Sequence, residues 1–305
     1  MQTYDVVGVG YCAVDYLGIV PRYPAVDEKV GMTEFVRQGG GITATAMVAV
    51  GRLGGRARYI GKVGDDDFGR FIIAELEKEG VDTSRVVIEP GASSQFSFVV
   101  VDQATGKRTI FWTSSGIKFE ASEIRREDIL AGKVLHVDAH HPSAAIQAAT
   151  WASEAGMPIV MDAGTMREGS DEIARMATVL ITSGLFARRF TGKDDPEQAA
   201  RRMFDSGKLI SGVTLGEKGC VYVTKDGVFH QPAFEVEVVD TTGAGDVFHG
   251  ALSFGVSRGW QPREIVEFAS AVAALKCTKL GGRTGIPTYA QVTDFLRARG
   301  SKGEF

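Results

Sequence analysis

Residues 240–251 read DTTGAGDVFHGA, with three glycines and two aspartates in twelve positions. Beyond the turn, Val247 and Ala251 fall at i,i+4 spacing, as do Phe248 and Leu252, the period of one helix face. A glycine turn that runs straight into a helix points backbone N–H groups and the positive end of the helix dipole into one concavity. The pattern predicts an anion hole. Asp246 falls in the first turn of that helix. One reading makes it a capping aspartate. The other makes it a general base, an acid set beside a bound phosphoryl group to take the proton of an attacking hydroxyl. The residues alone leave both open.

Working outward, the chain alternates apolar strand patterns with helical ones. Residues 4–10 (YDVVGVG), 58–62 (RYIGK), 134–139 (VLHVDA), 158–163 (PIVMDA) and 178–183 (TVLITS) read as strands. Residues 44–53, 68–79, 144–156, 171–177, 245–257 and 262–276 read as helices. Such alternation predicts an α/β fold with a mostly parallel central sheet and helices on both faces. Two segments, near 12–37 and 94–114, do not fit it. Both are β-leaning and broken by turns, the second a hairpin around residues 103–107. They predict a small sheet projecting from the main body as a lid. All 305 residues are expected to form one domain.

Composition excludes several classes. Net charge is −4 with both signs interspersed, so no nucleic-acid partner is expected. The three cysteines, Cys12, Cys220 and Cys277, form no CxxC pair, which suits a reducing cytoplasm. No basic n-region opens the chain and no run of 18 apolar residues occurs, so neither a signal peptide nor a membrane span is expected. Gly8-Val9-Gly10-Tyr11-Cys12-Ala13 matches a dinucleotide-binding fingerprint, but the residues that follow carry Pro21 and Pro24 and no helical period. No GxxxxGK[ST] and no HRD triplet is present, which excludes P-loop and protein-kinase chemistry.

DTTGAGD resembles the C-terminal signature of the ribokinase family, the phosphofructokinase-B type of carbohydrate kinases. Residues 40–54 (GGITATAMVAVGRLG), 61–69 (GKVGDDDFG) and 214–219 (TLGEKG) resemble three further landmarks, in the family's order. The resemblance spans essentially the whole chain. It implies a three-layer α/β/α kinase with a substrate lid, transferring the γ-phosphoryl group of Mg·ATP to a sugar hydroxyl. By resemblance Asp246 is the base, and Gly243, Ala244 and Gly245 lend amides to the γ-phosphate. Asp15, Lys29, Gly40, Gly41, Thr45 and Arg108 are the implied sugar contacts. Thr214, Gly216, Lys218 and Gly219 are the implied nucleotide contacts. Asp240 and Thr242, with carbonyls near residues 281–285, match the potassium site of many members. Family lids often pair, so a homodimer through the lid is an expectation.

Two departures stand out. Thr45 occupies the place of a sugar-contacting Asn. Ser183 and Phe186 occupy the places of Asn and Glu in the NxxE motif that orders magnesium. The C-terminal half is similar to bacterial 6-deoxy-6-sulfofructose kinases, while residues 105–112 (TGKRTIFW) resemble ketohexokinases. The Arg and Asn that sulfofructose kinases carry in the pocket align with Ala139 and Phe111. Rival readings are a nucleoside or vitamin kinase of the same fold and a catalytically weak sugar-binding regulator.

Overall fold

The computed structural model describes residues 3–105, 108–113, 115–204, 207–301, 303 and 305. Its strands, in chain order, are β1 Tyr4–Val9, β2 Ala13–Val20, β3 Glu34–Gly40, β4 Ala57–Ile60, β5 Lys62–Gly64, β6 Val87–Glu89, β7 Phe96–Asp102, β8 Arg108–Trp112, β9 Gly132–Val137, β10 Ile159–Met161, β11 Val179–Ser183, β12 Ile210–Thr214, β13 Cys220–Thr224 and β14 Gly227–Gln231. Eight of them build the main sheet in the order β14-β13-β12-β11-β10-β9-β1-β4. From β12 to β4 every pairing is parallel, and the β13–β14 hairpin closes one edge antiparallel.

Successive side chains of a strand point to opposite faces, and both faces of this sheet are covered. Val6, Val134 and Ile181 pack on one side with helices Ile42–Arg52, Ala244–Arg258 and Pro262–Lys276. Val7, Leu135 and Leu180 pack on the other with helices Pro142–Glu154, Ser170–Met176, Gly184–Thr191 and Pro196–Phe204. Burial on both faces explains why these strands read as continuous apolar runs. The expected architecture is therefore the one observed. Among the described residues, no helix is long and apolar enough to cross a membrane.

The two aberrant segments supply a separate four-stranded sheet, ordered β3-β2-β7-β8. β7 and β8 pair antiparallel as the hairpin predicted, though Gly106 and Lys107 of its turn lie outside the described residues. The inner face carries Leu17, Ile19, Val99 and Val101, packed with Leu280. The outer face carries Tyr16 stacked between Phe35 and Phe98.

Elsewhere the chain departs from its local pattern. Residues 58–62 read as one strand, yet β4 ends at Ile60 and β5 begins at Lys62. At Gly61 the backbone turns away from the main sheet, its carbonyl taking the Val87 N–H at 2.9 Å. Helices Gly184–Thr191, Pro196–Phe204 and Tyr289–Arg297 escape a reading based on apolar period, being short. Their caps were readable: Ser183 accepts from the Phe186 N–H, and Thr288 and Gln291 form a capping box. The Gly8-x-Gly10 pair serves packing. A Cβ on Gly8 would strike Met47, and one on Gly10 would strike Asp138 and Thr43. Strand β2 follows where a dinucleotide fold needs a helix.

Gly41 starts helix Ile42–Arg52 at φ 90, and a Cβ there would meet the backbone of Tyr11 and Cys12. Gly41→Ala should cost about 2 kcal/mol or more, from the left-handed backbone and the clash together. An unchanged urea midpoint would contradict this.

Candidate active site

Helix Ala244–Arg258 begins at the carboxyl edge of the parallel strands. Gly243 precedes it with φ 73, and no side chain caps it. Ala244 donates its N–H to the Thr241 carbonyl at 3.2 Å, and Val247 donates to Gly243 at 3.0 Å. Among the described residues no acceptor faces the N–H groups of Gly243, Gly245 or Asp246. The space beside the Gly245 Cα is open, whereas Gly243 lies against the Gly282 backbone. The turn is thus a set of free donors at a positive helix end, which fits a phosphate. Ala244, one of the expected donors, uses its amide inside the turn, and the Asp246 amide stands free instead.

Four carboxylates share this edge. Asp246 is half-buried, and burial raises its pKa above the usual carboxylate range. Asp162, Asp15 and Asp138 raise it further, while His249 opposes them. Asp138 is buried and accepts from the Tyr11 N–H at 2.8 Å, the Thr43 hydroxyl at 2.7 Å and the His140 N–H at 2.9 Å. Burial works against its charge, yet these donors and the His140 ring hold it well below the usual range. Asp162 faces the His249 ring, Oδ2 to Nδ1, at 3.2 Å.

His249 follows Asp246 by three residues on the same helix. It is buried, and both ring nitrogens meet carbonyl oxygens: Nε2 to Ile181 at 2.6 Å and Nδ1 to Gly245 at 2.8 Å. A neutral imidazole has one N–H and would aim a lone pair at one of them. The ring is therefore an imidazolium. Burial disfavours its charge, but Asp162 and the two carbonyls outweigh that and raise its pKa to about 9. Below it His136, fully buried, meets the Ser253 hydroxyl at 2.9 Å and stays neutral, its pKa driven down by burial to about 4.

On the small sheet, Asp15 accepts from the Ser97 hydroxyl at 2.6 Å, and its carboxylate covers Gly40 so closely that no Cβ would fit. Burial raises its pKa. Thr45 is buried, and its Oγ1 accepts from Arg283 Nε at 3.2 Å. Arg283 also donates Nη2 to the Gly40 carbonyl at 2.9 Å, and its Nη1 has no partner among the described residues. Arg283 lies far along the chain from all other acceptor-side residues, with no motif to mark it. Arg108, on β8, reaches Thr241 of the glycine turn at 2.7 Å and so links the small sheet to the anion hole. Lys29 stays apart. It is exposed on the loop beyond Val20, and at a rise of 3.3 Å per residue that strand end is roughly 16 Å from Asp15. Ala139 is buried and Phe111 is exposed on the sheet's outer face.

On the other side, the ends of β11 and β12 meet, Ser183 opposite Thr214. Gly216, Lys218 and Gly219 form the tight turn after Thr214, with Gly216 at φ 62 and Gly219 at φ 88. Ser183 bonds the Gly164 carbonyl at 2.7 Å while capping its helix, and Phe186 is fully buried. Both residues of the altered NxxE motif are committed to the fold. Asp240 is buried too: Oδ1 accepts from the Thr242 N–H and hydroxyl at 2.8 and 2.7 Å, and Oδ2 from the Gly281 N–H at 2.8 Å. Lys276, with burial lowering its pKa, donates to the Asp240 carbonyl at 2.8 Å.

An α/β/α sheet with an uncapped helix end, an acid in its first turn and a second, smaller β-sheet beside it suits phosphoryl transfer. Residues 4–289 match the pfkB family carbohydrate kinases, and the chain belongs to that family. It is accordingly a sugar kinase. It is 32% identical over 321 residues to fructokinase-1 of Zea mays, covering 95% of this chain and 97% of that one. A ribokinase from Thermotoga maritima is 26% identical, with TM-score 0.82 over 96% of this chain and 99% of that one. A ribokinase from Arabidopsis thaliana, complexed with ribose and ATP, shares the fold at TM-score 0.82 and 22% identity, with 96% and 99% covered.

Two measurements check these charges. Nitrogen NMR of histidine-labelled protein at pH 7 should show His249 protonated at both nitrogens; a single N–H would refute the imidazolium. Asp246 binds its proton more tightly folded than unfolded. Between its unfolded pKa and its raised folded one the native state therefore holds more protons, and stability falls as pH rises. Asp246→Asn removes that loss, so its Tm should exceed the wild type's at pH 8 and approach it at pH 5. Equal Tm gaps at both pH values would count against a raised pKa.

Proposed function

We propose that this kinase phosphorylates a ketose, with fructose the first candidate, and that Asp246 is its general base. The observation that carries the reading is the free N–H set of residues 243, 245 and 246 beside a carboxylate to which no described residue donates. Mg·ATP fits at this turn and supplies the phosphoryl group. Asp246 takes the proton of the acceptor hydroxyl as its oxygen bonds the γ-phosphorus; the bond from phosphorus to the β,γ-bridging oxygen breaks and ADP leaves. The free amides receive the charge that develops on the transferring group. The acceptor is held by Asp15, with Arg283 beneath it, and lies under the β2–β3–β7–β8 sheet, which excludes water as a lid.

Gly216, Lys218 and Gly219 line the nucleotide side. With Ser183 and Phe186 committed to packing, magnesium would come with ATP. The relatives' fructokinase names support a ketose. Sulfofructose is a second acceptor to try, since the C-terminal resemblance favours it, although Ala139 and Phe111 offer no charge to a sulfonate. The outer face of the lid, with Phe35, Phe98 and Phe111 exposed, is apolar enough to pair with a second copy.

ADP release with Mg·ATP, read across fructose, other ketoses, sulfofructose, ribose, adenosine and pyridoxal, tests the acceptor. Preference for a ketose is expected; preference for adenosine or pyridoxal would overturn it. Asp246→Asn should keep nucleotide binding and lower kcat by about 10³-fold. Near-normal turnover in that variant would remove Asp246 from the role.

A further inference from the structure

Three lysines are buried among the described residues; Lys62 is paired with Glu89 and Glu123, and the other two differ in kind. Lys208 donates to the carbonyls of Ala174 and Ala177 at 2.6 and 2.7 Å and so closes the end of helix Ser170–Met176. Helix dipole and open carbonyls explain it fully. Lys276 ends helix Pro262–Lys276 yet leaves its own helix carbonyls. It is 0% exposed, and among the described residues its one acceptor is the Asp240 carbonyl at 2.8 Å, 36 positions back.

That carbonyl belongs to the cluster in which the family resemblance implies potassium. An alkali ion needs a cage of free oxygens, and the oxygens that Asp240 would give it are already engaged. Both carboxylate oxygens of Asp240 already accept from three donors. The Asp240 carbonyl holds an ammonium. The loop of residues 281–285 folds onto the same lysine, since a Cβ on Gly285 would strike the Lys276 carbonyl. Val239 and Asp240 donate to the Cys277 carbonyl at 2.9 and 3.2 Å, which fastens the two segments together. A buried carboxylate still requires a counter-charge. Here the chain carries it: an alkylammonium is a compact point charge of the same sign.

We propose that the Lys276 ammonium is the permanent cation of the Asp240 turn, standing where an alkali-metal ion would otherwise neutralise it, and that this kinase works without potassium. The proposal rests on the reading of residues 240–246 as the phosphate turn. Lys276 is a positioning residue there. It holds the Asp240 end of the turn whose other end is the free amides and Asp246, and Arg108 and Asp246 are the other charged groups within its reach.

The test compares choline, sodium, potassium and ammonium chlorides at equal ionic strength, with kcat and, in the absence of substrate, Tm as readouts. Wild-type kcat should change less than about twofold between choline and potassium, where loss of a charge-stabilising group would cost far more. Its Tm should not respond to potassium. Lys276→Met should lose about tenfold or more in choline, and potassium or ammonium should restore part of that and raise its Tm. Severalfold activation of the wild type by potassium, or a specific rise of its Tm, would overturn the proposal. So would a folded K276M with undiminished kcat in choline. If K276M does not fold, the wild-type comparison decides. If no acceptor is phosphorylated at all, the kinase reading of the turn fails, and the Tm comparison still judges the cation.

Discussion

Four carboxylates converge on one edge of the main sheet, and accommodating them side by side is the constraint that shapes the site. Each unpaired buried charge would cost several kcal/mol, so the fold supplies partners one by one. Asp138 has three hydrogen-bond donors. Asp162 has the His249 imidazolium. Asp15 has Ser97, with the Arg283 charge favouring its ionised form. Asp246 alone has no donor among the described residues, and it lies under the field of the other three. A carboxylate so placed takes its basicity from its surroundings.

The same logic explains His249. Its two bonds tie strand β11 to the first turn of the helix that carries Asp246, across a contact where both partners are backbone. A neutral side chain could fill the volume but could not donate in both directions. Charge here serves geometry: the imidazolium fixes Gly245, whose open side faces the anion hole, and repays its own burial through Asp162.

Much of this was legible from sequence because it is local. The glycine turn, the start of the helix behind it and the acid in its first turn occupy seven consecutive residues, and their chemistry is a property of that stretch. The parallel sheet was legible because burial on both faces writes itself as apolar runs. What escaped was assembled through space. Arg283 reaches Thr45 across 238 positions and Lys276 reaches Asp240 across 36, and neither residue type at that spacing announces a contact. The loss of the NxxE pair could be seen, but its physical meaning could not: Ser183 had become a helix cap and Phe186 part of the core.

The acceptor side holds the clearest sign of a binding site. Buried polar atoms in folded proteins nearly always find partners, yet Gln38 Nε2, both amide atoms of Gln95 and Arg283 Nη1 have none among the described residues. All three side chains sit around the strand that carries Asp15: Gln38 opposite it in register, Gln95 bonded to Val14, and Arg283 beneath Gly39. Each unsatisfied group costs about 1–3 kcal/mol. A fold that keeps several in one place is less stable than it could be, and the deficit is recovered when a hydroxyl-rich ligand supplies the missing donors and acceptors. On the proposed reading, affinity for a sugar and stability of the empty protein are set by the same few atoms, and the glycines at 39 and 40, by bringing the backbone against Arg283 and Asp15, belong to recognition as much as to folding.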